Sequence, residues 1–294
     1  MNKHKAGFVN IIGKPNVGKS TLMNLLVGER LSIISPKAQT TRHRIKGIVN
    51  ADDYQIVFSD TPGILKPNYL LHQKMMDFVD VSMQDADLTL YITDIYEDFN
   101  NEEVLQLLKK TDSPVILLIN KIDQSNDDKL TTLVETWKEK FHFTEILPLS
   151  ALHNFNVDKL LTYVSTHLPE SPPYFPKDQL TDLPERFFVA EIIREKIFLN
   201  YSQEIPYSCE VGIESYKEEP TITKIRANIY VERDSQKGIV IGHKGSKLKK
   251  VGTEARIDIE KFLDGKVFLE LFVKVKEDWR TKPRELRAFG YDNT

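Results

Sequence analysis

The 294-residue sequence has one cysteine, Cys209, so no internal disulfide can brace it. That poverty fits a reducing compartment, the cytoplasm, and Cys209 itself reads as a small buried strand residue. There is no run of eighteen apolar residues, so no transmembrane helix is expected. Basic residues Lys3 to Lys5 precede an apolar stretch, Ala6 to Ile12, but this runs directly into glycine-containing sequence from Gly13. A strand is expected there, not a secretion signal. Excess charge is missing too: the net charge is −3, divided as −4 over residues 1–170 and +1 over 171–294. A polyanionic partner is not announced by such an average, yet from Lys237 to Lys250 five lysines occur without an acid, the footprint a phosphate-bearing ligand needs. No internal repeat or low-complexity tract is present.

What is present is ordinary globular composition, 40% hydrophobic and 28% charged, in a chain long enough for two cores. The first half alternates short β-branched runs with helical patterns, which predicts an α/β domain with a mostly parallel sheet covered on both faces. Strands are expected at Phe8 to Ile12, Ile45 to Val49, Tyr54 to Ser59, Leu88 to Thr93, Val115 to Ile119 and Ile146 to Leu149. Helices are expected near Thr21 to Val27, Leu70 to Met83, Glu102 to Lys110, Asp128 to Lys140 and Val157 to His167. Pro169, Pro172, Pro173, Pro176 and Pro184 then crowd into sixteen residues, too densely for a helix or central strand. The expected division is a domain over 1–169, a semi-rigid linker over 170–184 and a second domain with a tail over 185–294. The second domain reads as a helix (Arg186 to Leu199), strands at Ser208 to Tyr216 and Lys224 to Glu232, then a glycine-rich basic segment, a helix and a strand, the order α-β-β-α-α-β.

Gly13-Lys14-Pro15-Asn16-Val17-Gly18-Lys19-Ser20 matches GxxxxGK[ST] between an expected strand and an expected helix. Glycines let successive N–H groups and the helix N-terminus, which includes Thr21, face phosphates; Lys19 would neutralise the β and γ oxygens and Ser20 would ligate Mg²⁺. Asp60-Thr61-Pro62-Gly63 follows the third strand. Asp60 would hold Mg²⁺ through a water, and the Gly63 N–H would sense the γ-phosphate. Asn120-Lys121-Ile122-Asp123 follows the fifth strand, at the carboxyl edge where open α/β sheets bind ligands. The Asp123 carboxylate accepts from guanine N1–H and the 2-amino group, donors that adenine cannot offer together. Asn120 would tie this loop to the phosphate loop, the Lys121 stem would cover the base, and Ser150-Ala151-Leu152 would offer the Ala151 N–H to guanine O6.

Four segments in this order resemble the translation-factor-related GTPases, and Pro15-Asn16-Val17 resembles the Era and Era-like branch. The resemblance implies a P-loop GTPase domain that binds GTP and GDP with Mg²⁺. It also implies a switch threonine on Mg²⁺ within Ala38 to Arg42, Thr41 being favoured over Thr40, and a potassium ion held beside the phosphates with the help of Asn16. Ile64 stands where Ras-like GTPases carry a water-orienting glutamine, so slow intrinsic hydrolysis is expected.

In the second half, Gly242-His243-Lys244-Gly245 follows the apolar Ile239 to Ile241 and precedes a resumed helical pattern at Leu248. With the α-β-β-α-α-β order this resembles a type II KH domain, whose GxxG loop clamps a single-stranded nucleic-acid backbone. Lys237, Lys244, Lys247, Lys249 and Lys250 would supply its electrostatic share, and His243 lacks a second ligand at metal spacing. The tail from Trp279 to Tyr291 resembles the Era carboxy terminus and otherwise reads as a terminal helix docked by Trp279 and Leu286.

A GTPase joined to a type II KH domain is the combination of the Era family. That likeness implies a monomer binding single-stranded ribosomal RNA near the 3′ end of 16S rRNA in assembly of the small (30S) ribosomal subunit. Peripheral contact with the inner face of the cell membrane stays open. A constitutive RNA-binding module with a structural nucleotide domain is the competing reading. A tRNA-modification GTPase is disfavoured because no cysteine lies near the carboxy terminus.

Overall fold

The computed structural model describes residues 4–99 and 102–292, leaving Lys3 outside the described residues. The chain forms two compact units, residues 1–66 with 75–182, and residues 67–74 with 183–294.

The first unit runs β1 (Lys5–Ile12), α1 (Lys19–Val27), β2 (Ile45–Asn50), β3 (Tyr54–Asp60), α2 (Leu70–Gln84, of which residues 75–84 belong to this unit), β4 (Leu88–Asp94), α3 (Glu102–Leu108), β5 (Val115–Asn120), α4 (Asp127–Lys140), β6 (Glu145–Pro148) and α5 (Val157–His167). The sheet order is β2-β3-β1-β4-β5-β6. Only β2 pairs antiparallel; its β3 partner and the rest run parallel. Alternation along β1 decides the layers. Val9 and Ile11 pack with Leu22 and Met23 of α1 and Leu160 of α5 on one face. Ile12 packs with Val79 of α2, Val104 of α3 and Trp137 of α4 on the other. With both faces covered, β4 and β5 are buried at every residue, which is why Val115 to Ile119 of β5 reads as a continuous apolar run. Local chemistry sets the ends. The Asn126 side chain accepts from the Lys129 N–H at 2.9 Å to start α4, and Gly28 at φ 79° stops α1.

The proline-rich segment is not a free linker through its length. Gln55, wholly buried in β3, accepts from the N–H groups of Tyr174 (2.7 Å) and Phe175 (3.0 Å) and donates to the Phe175 carbonyl (2.8 Å). The Ile48 N–H donates to the Leu180 carbonyl at 2.8 Å, and the rings of Phe8 and Tyr174 lie 4.9 Å apart. Prolines remove donors that would need partners, and the Gln55 amide satisfies three of the backbone groups that remain. The division between units accordingly falls between residues 182 and 183, late in the expected 170–184 linker.

The second unit contains α6 (Glu185–Asn200), α7 (Ile205–Ser208), β7 (Glu210–Glu219), β8 (Ile222–Val231), α8 (Asp234–Ile241), α9 (Ser246–Phe262), β9 (Val267–Val275) and α10 (Pro283–Ala288). Its sheet is β7-β8-β9, with β7 and β8 antiparallel and β8 and β9 parallel. Helix α7 is an addition to the expected order: with Pro206 in its first turn it ends at Ser208, where the strand was expected to start, and β7 begins at Glu210. Ile193 and Ile197 of α6 and Val251, Ala255 and Ile259 of α9 cover one face of this sheet. Cys209 is buried. The tail docks through Trp279, whose indole N–H donates to the Ser208 carbonyl at 2.9 Å, and through buried Leu286. Among the described residues no helix is long and apolar enough to cross a membrane.

Candidate functional site

Strand order reverses at β1, which has β3 on one side and β4 on the other, and ligands bind at the carboxyl ends of strands beside such a reversal. The loop from Gly13 to Gly18 occupies that position, and α1 begins at Lys19 without an acid in its first turn, so its N–H groups are open to an anion. Gly18 adopts φ 104°, and a Cβ there would lie 2.2 Å from Asn120 Nδ2. Both conformation and space exclude a side chain.

Lys19 folds back over this loop. Its ammonium donates to the carbonyls of Gly13 (3.1 Å) and Lys14 (2.8 Å), the ring of backbone in which phosphate oxygens would sit. Burial lowers its pKa to about 8, an effect opposed by the Asp60 charge. A cluster of oxygens lies next to it. Ser20 Oγ donates to Asp60 Oδ2 at 2.7 Å and lies 2.9 Å from Thr41 Oγ1, which is 3.5 Å from the same carboxylate oxygen. Asp60 is wholly buried, its pKa raised by that burial, and its Oδ1 has no hydrogen-bond partner. Two hydroxyls and a carboxylate oxygen without a donor suit a hard divalent cation. Thr40 points elsewhere, bonding the Ser35 hydroxyl and the Lys37 carbonyl, both at 2.7 Å.

Gly63 packs so closely on Pro15 that a Cβ would stand 2.8 Å from the Pro15 nitrogen, and the Ile64 N–H donates to the Gly13 carbonyl at 3.0 Å. The Asp60–Gly63 loop is thereby latched to the phosphate loop. Ile64 packs against the hydrophobic core around α2, α3 and α4 and has nothing with which to orient a water.

Asn120 joins three segments. Its Nδ2 donates to the Val17 carbonyl (2.8 Å) and its Oδ1 accepts the Ala151 N–H (2.9 Å). The Ala151 N–H, the expected partner of guanine O6, here donates to the Asn120 side chain. Asp123 Oδ1 accepts from the Ser150 hydroxyl at 2.6 Å, which holds its carboxyl below the usual range. Lys121, at φ 63°, donates to the Asn16 carbonyl (2.9 Å) and to Asp94 Oδ2 (2.6 Å). The resulting cleft encloses about 410 Å³, with Gly18, Lys19 and Thr41 at one end and Asp123, Ser150 and Leu152 at the other. Thr21 and Asn16 also line it, whereas Gly13, Val17 and Asp60 lie behind its wall.

The second unit carries a separate constellation. Gly242, Lys244 and Gly245 take φ of 72°, 48° and 77° between α8 and α9. Nothing lies within 4 Å of where a Gly245 Cβ would be, so that side of the loop is open. His243, Lys244 and Lys247 are exposed and Lys237 is half-buried.

Comparison with known proteins shows which family this is. Residues 8–121 match the model of the 50S ribosome-binding GTPases and residues 204–280 that of the KH domain. GTPase Era of Staphylococcus haemolyticus is 47% identical over 294 residues, 99% of this chain and 98% of that protein. The chain belongs to the Era family. It is a GTPase carrying a KH domain, and the expected fold class holds in both parts. Among solved structures, Era in complex with MgGDPNP and nucleotides 1506–1542 of 16S ribosomal RNA is 42% identical with a TM-score of 0.95, over 99% of this chain and 100% of that one. An Aquifex aeolicus Era variant bound to GDP·AlF4⁻ is 43% identical, also at TM-score 0.95, over 98% of this chain and 100% of that one.

Some residues of this Era-family site escaped sequence reasoning. Lys14 pairs with Glu97 (3.1 Å) and Asp98 (2.7 Å), and Asp94 pairs with Lys121, so the loop after β4 braces the phosphate loop and the base-reading loop together. The available signal was position, since Asp94 ends β4 at the carboxyl edge of the sheet.

Proposed function

We propose that this Era-family GTPase is a molecular switch that binds single-stranded RNA in the 3′ region of 16S rRNA during assembly of the small ribosomal subunit. The observation that carries this reading is the loop from Gly242 to Gly245, open at Gly245 and flanked by exposed Lys244 and Lys247. Such a loop lets phosphates approach backbone N–H groups, and lysines beside it add a salt-dependent attraction. The likeness to an Era seen with MgGDPNP and a 16S fragment supports the choice of RNA.

In the nucleotide unit, the N–H groups from Asn16 to Thr21 bind the α and β phosphates, and Lys19 neutralises the β and γ oxygens. Asp123 reads guanine N1–H and the 2-amino group, with Ser150 holding its carboxylate in place. Ser20 and Thr41, with Asp60 through a water, would hold Mg²⁺. When bound, that ion draws charge from the bridging phosphate oxygens. Gly63 senses the γ-phosphate through its N–H and passes that state to the loop it begins.

With Ile64 packed against the core, attack by water lacks a side-chain guide and hydrolysis is slow. Asn16 would help hold a potassium ion beside the phosphates, and that ion would supply positive charge there. The Asn16 Nδ2 already donates to the Pro36 carbonyl at 2.9 Å, which ties it to the segment preceding Thr41. GTP turnover is expected to be faster in potassium than in sodium, and equal rates would contradict a bound potassium ion. The protein acts as a cytoplasmic monomer, with any membrane contact peripheral. Ile64 also favours a second reading, a constitutive RNA-binding module on a structural nucleotide unit.

The RNA reading is tested by joining Gly242→Asp with Lys244→Ala in the full chain and measuring binding to the 3′-terminal 16S segment at fixed salt. Affinity is expected to fall at least tenfold with GTP binding unchanged. Unchanged RNA affinity would contradict it.

A further inference from the structure

The segment after β6 is a tight loop closed by two backbone bonds, from the Ser150 N–H to the Phe155 carbonyl (3.2 Å) and from the Phe155 N–H to the Ser150 carbonyl (3.0 Å). Asn154, at φ 53°, makes the turn, as a short polar side chain allows. Ser150 donates its hydroxyl to Asp123 Oδ1 at 2.6 Å, and the same hydroxyl oxygen accepts the His153 N–H at 3.3 Å. That chain of bonds sets where the His153 side chain begins. Its Nε2 stands 3.7 Å from the other carboxylate oxygen, Asp123 Oδ2. Asp123 is therefore flanked on both oxygens, on one by a hydroxyl and on the other by a group whose charge can change.

A neutral imidazole at this distance makes no hydrogen bond and leaves Oδ2 open to a base. An imidazolium forms an ion pair there, and imidazole changes charge between about pH 5 and 8. The other charged groups at this end of the cleft are occupied. Lys121 is held by Asp94 (2.6 Å) and the Asn16 carbonyl (2.9 Å), and Lys129 of α4 lies 5.2 Å from the centre of the Tyr96 ring. Tyr96 in turn donates its hydroxyl to Gln124 at 2.8 Å. Asp123, held below the usual carboxylate range chiefly by the Ser150 hydroxyl, stays ionised where imidazole titrates. Guanine brings two donors, N1–H and the 2-amino group, and needs both carboxylate oxygens. Hypoxanthine brings N1–H alone and needs one.

We infer that His153 is a specificity-determining residue of the nucleotide site: its imidazolium takes an Asp123 oxygen that guanine needs and hypoxanthine does not, so acid narrows the preference for guanine. This rests on Asp123 as the base reader and deepens that reading. Guanine breaks the His153–Asp123 pair, so its binding favours the neutral imidazole. The preference is accordingly complete above the imidazole range and falls as pH drops through it.

The test is competition of GDP and IDP against a fluorescent guanine nucleotide on the full chain with Mg²⁺, at about pH 5.5 and about pH 7.5, near the two ends of imidazole titration. The ratio of the two affinities is read, because the nucleotide phosphates, Lys19 and Asp60 act on both ligands alike and cancel. Wild type is expected to prefer GDP at the higher pH and to lose about two- to fivefold of that preference at the lower, the effect of an exposed ion pair. His153→Gln, polar but uncharged, is expected to keep the full preference at both pH values. His153→Lys, charged at both, is expected to show the reduced preference at both. A merely structural His153 would change GDP and IDP binding together and leave the ratio unmoved. A wild-type ratio constant with pH, a pH dependence that survives in the glutamine variant, or full preference in the lysine variant would overturn the role of His153 alone. Equal affinities for GDP and IDP at both pH values would overturn base reading by Asp123 and this inference with it.

Discussion

Lys19 shows how a single residue's environment becomes a measurable property of binding. Buried among carbonyls, its ammonium has a pKa of about 8, so near pH 8 half of the nucleotide-free molecules carry it neutral. A triphosphate favours the charged form and raises that pKa. The group therefore contributes its full attraction below about pH 8, and the contribution fades as pH rises above it. Calorimetry at pH 8 in two buffers of different ionisation enthalpy is expected to show uptake of about half a proton per nucleotide bound. No uptake would mean that Lys19 is already fully charged in the free protein. Motif spacing points to phosphate binding by Lys19, but the shift belongs to burial and cannot be read from the motif. The same holds for Thr41. Thr40 and Thr41 are neighbours of one type, and only folding turns Thr41 toward Ser20 and Asp60 and Thr40 toward Ser35.

At the scale of elements, the loops at the carboxyl edge of the sheet hold one another. The Asn120 side chain bridges Val17 and Ala151, and Gly18 is where the phosphate loop passes under it. Gly18→Ala would place a methyl 2.2 Å from Asn120 Nδ2 at a backbone φ of 104°. The strain, about 1–3 kcal/mol, strikes two loops at once. Nucleotide affinity is expected to fall at least tenfold and the melting temperature by a few degrees, whereas unchanged affinity would show that Asn120 does not set the loop. Strands and helices were legible in the sequence because apolar patterning reports burial, as in the unbroken run Val115 to Ile119 of the fully buried β5. What stayed hidden depends on partners far apart in the chain. Gln55 meets Phe175 across 120 residues, which turns most of the supposed linker into part of the first unit. Glu97 meets Lys14 across 83, and neither pairing leaves a local pattern. Helix α7 was missed for the opposite reason: its signal, Pro206, is local, but four residues are too few to show a period.

The whole molecule joins a GTPase unit to a KH domain, and the proposed switch requires the first to govern the second. Neither site alone makes a switch. A ligand shifts an equilibrium only by its differential affinity for the two states, so GTP and GDP must leave the RNA site with different affinities if the first site governs the second. The constitutive module predicts no difference. The direct measurement is the affinity of the full chain for the 3′-terminal 16S segment with Mg²⁺ and either GDP or a non-hydrolysable GTP analogue. At least a fivefold tighter complex with the analogue is expected, about 1 kcal/mol of coupling. Equal affinities in the two nucleotide states would contradict the switch.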